Sequence, residues 1–161
     1  MPTHKAVDLH HEGGMLFAAA PSSGHPIAFD DRSSNKGGSP VETILSALGA
    51  CSAMDVISIA IKKRQAVTAY DIHVTGSQRD EYPQVFTEID VIHEVTGTNL
   101  SEAAIRRAIE LSATKYCPVS AMLSAGPTEI HHAYRVTRPG EPTEEAEVLV
   151  TGPNQRPDIV D

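Results

Sequence analysis

Apolar positions are spread unevenly along the chain, and their spacing predicts its elements. Residues 5–11 alternate weakly between apolar and polar. Met15–Ala20 and Pro26–Phe29 are short apolar runs, and Gly-rich turns separate all three. Short runs punctuated in this way predict an antiparallel meander of three strands, followed by a polar loop from Asp30 to Gly38. From Ser39 to Arg64 the pattern changes. Ile44, Leu45, Leu48, Met54, Ile57, Ile59 and Ile61 cover several faces of one helix, with a run of small residues from Ser46 to Ala53 interrupted by Leu48 and Cys51. Ser39 suits the N-cap, Pro40 the first helical position and Glu42 a capping box, while Lys62, Lys63 and Arg64 complement the dipole at the far end. A helix apolar on all sides is normally buried. The uninterrupted apolar part is short of the ~20 residues a bilayer needs, and Asp55 breaks it, so the expectation is a core helix and no membrane span.

Beyond Arg64, Thr68–Ser77 and Val85–Thr96 alternate with period two, the latter with Val85, Thr87, Ile89 and Val91 on one face. They predict a hairpin with a long loop. Asn99 is placed to cap a helix running to about Lys115. Pro118 stops that helix and opens a short one over Val119–Leu123, with Cys117 at or near its N-cap. Ile130–Thr137 is a last strand. The expected organisation is one domain over 1–138 and an acidic Pro/Gly-rich tail over 139–161, in which Glu147–Thr151 could add an edge strand. The fold class is α+β, an antiparallel sheet of about six strands around a long central helix. Six short strands cannot cover an all-round apolar helix, which predicts a dimer.

Composition narrows the partners. The chain has 161 residues and a formal net charge of −8, which argues against nucleic acid and against an anionic membrane surface. Trp is absent and aromatics are 4%, too few for base-stacking platforms. There is no N-terminal apolar run, so no signal peptide is expected. Two cysteines without a secretory signal point to a reducing compartment, the cytoplasm, where a disulfide is transient and catalytic or sensory.

Candidate chemistry centres on the two thiols. Cys51 reads either as a small core hydrophobe or as a nucleophile, and Asp55 one turn on would raise its pKa. Cys117 either packs or reacts; a helix N-terminus at Pro118 and the charge of Lys115 both favour its thiolate, making it the more acidic thiol by local reasoning. Glu42 either closes a capping box or holds a cation near a thiol. Nine residues of helix place it roughly 13 Å from Cys51 along the axis, so any partnership runs through an Arg or Lys or through another subunit. Eight histidines include His10-His11 and His131-His132. No C-x-x-C or H-x-x-x-H spacing organises them, and neighbours on a strand face opposite ways, so no metal site is expected. No phosphate-binding glycine loop is present, so no cofactor is expected either. Ser52 and Ser120 have no His–Asp arrangement that sequence alone supports.

Three stretches together resemble the OsmC/Ohr family of osmotically inducible and organic-hydroperoxide-resistance proteins. They are Gly38-Ser39-Pro40-Val41-Glu42-Thr43-Ile44-Leu45, Leu48–Val56 around Cys51, and Glu110–Leu123 with Lys115-Tyr116-Cys117-Pro118-Val119-Ser120. The order of elements matches too. The resemblance implies an intertwined homodimer and thiol peroxidase chemistry in oxidative-stress defence. Cys51 would attack an organic hydroperoxide and become a sulfenic acid. Cys117 would resolve it to a disulfide, and an external dithiol, possibly on a lipoylated protein, would restore both thiols. Glu42 would orient an arginine onto the thiolate. The family's arginine lies in the N-terminal strands, and Lys5–Phe29 holds none, so Arg32 or Arg79 would have to substitute. This departure keeps a second reading open, a non-enzymatic redox sensor or small-molecule-binding protein of the same fold.

Overall fold

The computed structural model describes residues 3–153, and the chain divides into two compact units, Met1–Ile44 and Leu45–Asp161. The first unit is built on a three-stranded antiparallel sheet in the order β1(Val7–Gly13), β2(Leu16–Pro21), β3(Ile27–Phe29). Gly13 and Gly14 take φ of +113° and +56° at the β1–β2 turn, a conformation that costs a side-chain-bearing residue. After β3 the chain folds around the buried Asp30. Its carboxylate accepts the Asp31 and Lys36 N–H groups at 2.8 and 2.9 Å and the Ser34 hydroxyl. This polar knot orders the loop that carries Arg32.

Helix α1 runs from Pro40 to Lys62. The expected capping box is present: Ser39 Oγ accepts the Glu42 N–H at 3.2 Å, and Glu42 Oε2 accepts the Ser39 N–H at 3.1 Å. With 23 residues, α1 is long and apolar enough to cross a membrane by length and composition alone, so the expectation that it is too short is corrected. Its buried residues form one stripe, Leu48, Ser52, Val56 and Ala60, four apart, with Gly49 beside it. A Cβ on Gly49 would stand 2.9 Å from Val74 Cγ2, so glycine lets the helix approach the sheet there. The opposite side is open in the single chain, with Met54 and Ile61 70% and 66% exposed.

The second unit holds a four-stranded sheet in the order β4(Val67–Gln78), β5(Phe86–Gly97), β6(Glu129–Thr137), β7(Glu144–Thr151). β4 and β5 form the expected hairpin, with Val74 opposite Val91. An irregularity near Gln78 shifts the register, so Thr87 faces solvent and Phe86 faces inward. The pair β5–β6 is parallel, which corrects the expectation of a wholly antiparallel sheet. A parallel pair needs a long crossover. It is supplied by α2(Glu102–Leu111), one π-helical turn over Ser112–Tyr116, and α3(Pro118–Ser124). The α2 cap is Ser101, whose side chain accepts the Ala104 N–H, in place of the expected Asn99.

β7 pairs antiparallel with β6 and buries Val148, Leu149 and Val150. The segment read as tail therefore completes the sheet over 144–151, more than the edge strand at 147–151 that was allowed for. Residues 154–161 lie outside the described residues. Two apolar clusters fill this unit. One joins Val56 and Ala60 to Ile105, Ala108, Ile109, Tyr134, Val136, Val148 and Leu149. The other joins Leu48 to Phe86, Ile89, Val91, Cys117 and Ile130.

Candidate functional site

Three elements of the second unit bring the two cysteines together. Cys51 lies half-buried midway along α1, and Asp55 follows one turn later on the same side. Cys117 is the buried N-cap of α3, placed there by the π turn, whose final N–H···O bond runs from the Cys117 N–H to Ser112 O at 2.9 Å. Donor atoms of Cys51, Asp55 and Cys117 all lie within 4.8 Å of one another. π-helical turns are frequent at functional sites. This set offers two soft sulfurs and one oxygen to a metal, and no further histidine, cysteine or carboxylate joins it among the described residues.

Cys117 does not show the acidity that local sequence reasoning gives it. Ser120 N–H donates to Cys117 Sγ at 3.3 Å, as a helix N-terminus should. Burial nonetheless dominates, and with Cys51 alongside it pushes the Cys117 thiol up to about 12. Lys115 is exposed, with its ammonium 5.4 Å from the Tyr116 ring. Cys117 is thus a protected thiol and Cys51 the more accessible one.

A buried polar chain leads away from Asp55. Ser112 Oγ donates to Asp55 Oδ2 at 2.9 Å and lies 3.3 Å from Ser52 Oγ. Ser52 Oγ lies 3.3 Å from His93 Nε2, and His93 Nδ1 lies 2.6 Å from the Tyr70 hydroxyl. Burial, with His132 nearby, pushes His93 down to about 3, so the ring is neutral. Burial, with Asp55, raises Tyr70, so it keeps its proton. Sequence reasoning denied Ser52 a His–Asp neighbourhood, and the structure supplies one from β5 and the π turn. Ser52 is 1% exposed, however, and no substrate reaches it. One signal pointed to His93: the period-two face of Ile89 and Val91 continues onto it. Nothing local marked Tyr70 or Ser112.

The other expected residues lie elsewhere. Glu42 occupies the first turn of α1, where bonds from the Ser39 side chain and backbone hold its carboxyl below the usual range and Arg32 adds to the effect. Arg79 belongs to the β4–β5 connection. It donates from Nε to Pro83 O at 2.7 Å, tying itself to its own loop. Of the adjacent histidines on β6, His132 is buried and His131 contacts Glu129 and Glu147, on opposite faces as alternation requires.

A central apolar helix carrying one cysteine, a Cys-Pro helix start carrying the other, and a split sheet define an OsmC-like protein. The sequence pattern of the family described as OsmC-like protein matches residues 33–133, and the chain belongs to that family. It is 44% identical over 123 residues to protein YhfA of Escherichia coli K12, covering 76% of this chain and 91% of that one. A crystal structure of a hypothetical protein from Aquifex aeolicus superposes with a TM-score of 0.77 at 30% identity, over 85% of this chain and 98% of the other. The organic hydroperoxide resistance protein OhrB of Bacillus subtilis shares the fold, with a TM-score of 0.57 at 16% identity over 82% of this chain and 98% of its own.

Proposed function

We propose that this protein is a thiol-dependent peroxidase that reduces organic hydroperoxides to alcohols in oxidative-stress defence, as a cytoplasmic homodimer. The observation that carries this reading is the convergence of Cys51 and Cys117, distant in sequence, beside one carboxylate. Cys51, the accessible thiol, attacks as thiolate on a peroxide oxygen. The O–O bond breaks, the alcohol leaves with a proton, and Cys51 becomes a sulfenic acid. The Cys117 thiol, withheld by burial from outside reagents, then forms the S–S bond, and water leaves. A small or protein-bound dithiol, lipoyl in the simplest case, returns two electrons by exchange. The open apolar side of α1, with Met54 and Ile61, supports a second copy as the cover.

The lack of an arginine in Lys5–Phe29 favours a second reading, a redox-sensing or small-molecule-binding protein. A steady-state assay with cumene hydroperoxide and dihydrolipoamide separates them. The peroxidase reading expects turnover that disappears in Cys51→Ser, with sulfenic acid trapped at Cys51 in Cys117→Ser. A single stoichiometric oxidation with no turnover under any dithiol supports the sensor.

A further inference from the structure

The polar chain that runs from Asp55 to Tyr70 anchors one carboxyl group beside the two thiols. Ser112, Ser52, neutral His93 and Tyr70 each carry a single polar hydrogen. Ser112 Oγ is placed to donate both to Asp55 Oδ2 and to Ser52 Oγ, and its one hydrogen serves only one of them at a time. That hydrogen, given to the carboxyl group, fixes Asp55 beside the thiols, and Ser52, His93 and Tyr70 carry the chain on at 3.3 and 2.6 Å into β5 and β4. At its other end the same carboxyl stands within 4.8 Å of both sulfurs.

We propose that Asp55 is the proton acceptor for Cys117 when the disulfide closes, and that Ser112, backed by Ser52, His93 and Tyr70, positions it. The assignment deepens the peroxidase reading and rests on it for the identity of the leaving group. As the Cys117 sulfur attacks Cys51, its S–H proton passes to Asp55. The S–S bond forms, the S–O bond of the sulfenic acid breaks, and the departing hydroxide takes the proton from Asp55 as water. The buried Cys117 thiol cannot use bulk water as its base, since it is 3% exposed. Asp55 accepts the Cys117 proton in the same way whatever group leaves Cys51, whether or not a peroxide put it there.

The test uses the full-length protein and two ways of loading Cys51. In the first, Cys51 is converted to a nitrothiobenzoate mixed disulfide, and closure by Cys117 is read from release of the coloured thiol. Asp55→Asn, which still accepts from Ser112, is expected to slow release at least about tenfold, and Asp55→Glu to recover part of it. Ser112→Ala is expected to slow release several-fold and Ser112→Thr to restore it, which separates positioning from mere packing. In the second, one equivalent of cumene hydroperoxide is added and sulfenic acid and disulfide are followed by mass spectrometry. Asp55→Asn is expected to form sulfenic acid at the wild-type rate and to accumulate it. Wild-type release from Asp55→Asn, or equal slowing of sulfenic acid formation and closure, overturns the assignment. If wild type forms no sulfenic acid, the peroxidase reading fails, and the mixed-disulfide result alone decides Asp55. Should Asp55→Asn not fold, as judged by circular dichroism, the Ser112→Ala and Ser112→Thr pair decides it.

Discussion

β1 and β5 are both regular strands, yet they belong to different kinds of sheet. Every residue of β1 is exposed, Leu9 among them at 56%. β5 buries Ile89, Val91, His93 and Val95 in alternation beneath the helices. The second unit holds both apolar clusters and the thiol pair with its polar chain. The first unit buries Ala19 and Asp30 and leaves Leu9, Met15, Phe17 and Phe29 around an apolar hollow of about 330 Å³. It also carries Glu42 and Arg32. The thiol pair thus stands where packing is dense, and Glu42 and Arg32 stand where it is thin. Small three-stranded sheets are marginal without something to pack on, so the exposed face of the first unit is where a second copy should matter most.

The largest expected effect comes from cutting into the packed unit. Ile109 is fully buried in the cluster with Val56, Val136 and Val148, and Ile109→Ala should cost about 2–5 kcal/mol in urea unfolding. Leu9→Ala on β1 should stay within about 0.5 kcal/mol if the single chain is the whole picture. A Leu9→Ala cost comparable to that of Ile109→Ala would show that β1 is covered in solution, as the proposed homodimer requires. Leu48→Asp tests folding and not subunit pairing, because Leu48 is fully buried within its own chain. Met54 and Ile61 are the pairing probes.

A second contrast is electrostatic and lies within the packed unit. Burial and the neighbouring histidines push His93 down to about 3 and His132 down to about 4. The unfolded chain binds protons at these rings below the ordinary histidine value of about 6.5, while the folded chain does not. Stability is therefore complete above about 6.5 and falls as pH drops toward 4, by at most roughly 1.4 kcal/mol per pH unit for each ring. His131, one residue away, runs the other way: burial lowers it, but Glu147 and its acidic neighbours outweigh this and raise it. Its contribution is present in acid and lost as pH rises past its folded value. Urea midpoints between pH 4 and 7 in wild type and His132→Gln measure the difference. A flat wild-type profile would mean that the buried rings are solvated.

How much of this was legible beforehand follows the range of the interactions. Strands β1 to β5, the capping box at Ser39 and Glu42, and Cys117 as the cap of α3 rest on patterns a few residues long, and the structure carries all of them. The parallel β5–β6 pair and β7 depend on where a distant strand returns. The Glu-rich start of β7 hid a buried Val148-Leu149-Val150 behind the composition of a tail. At the site, each cysteine was visible alone, and a helix N-terminus seemed to make Cys117 the acidic one. The missing quantity was burial, a property of the whole unit, and it raises the Cys117 thiol despite the helix N-terminus. The bonding role of Asp55 was not legible, because Ser112, His93 and Tyr70, which join Ser52 in its polar chain, come from three other elements.

The smallest effects concern the two arginines, and they sharpen the comparison between the units. Arg32 sits in the loop ordered by Asp30 and is one of the charges acting on Glu42. Arg79 is tied to the Pro83 carbonyl in its own connection. A thiolate among apolar neighbours is costly without a nearby positive charge, so whichever arginine supplies that charge should set the oxidation rate of Cys51. Arg32, which acts on Glu42, is expected to be the one: Arg32→Ala should slow peroxide-dependent loss of the Cys51 thiol about tenfold, roughly 1.4 kcal/mol in the barrier. Arg79→Ala should leave that rate within about twofold. Stopped-flow thiol loss in the two variants and wild type, across pH, makes the measurement. A drop confined to Arg79→Ala would move the activating charge to the packed unit, because the only loop that carries Arg79 is the β4–β5 connection. No change in either variant would leave Cys51 without an arginine, and the sensing reading would then replace turnover as the function of the thiol pair.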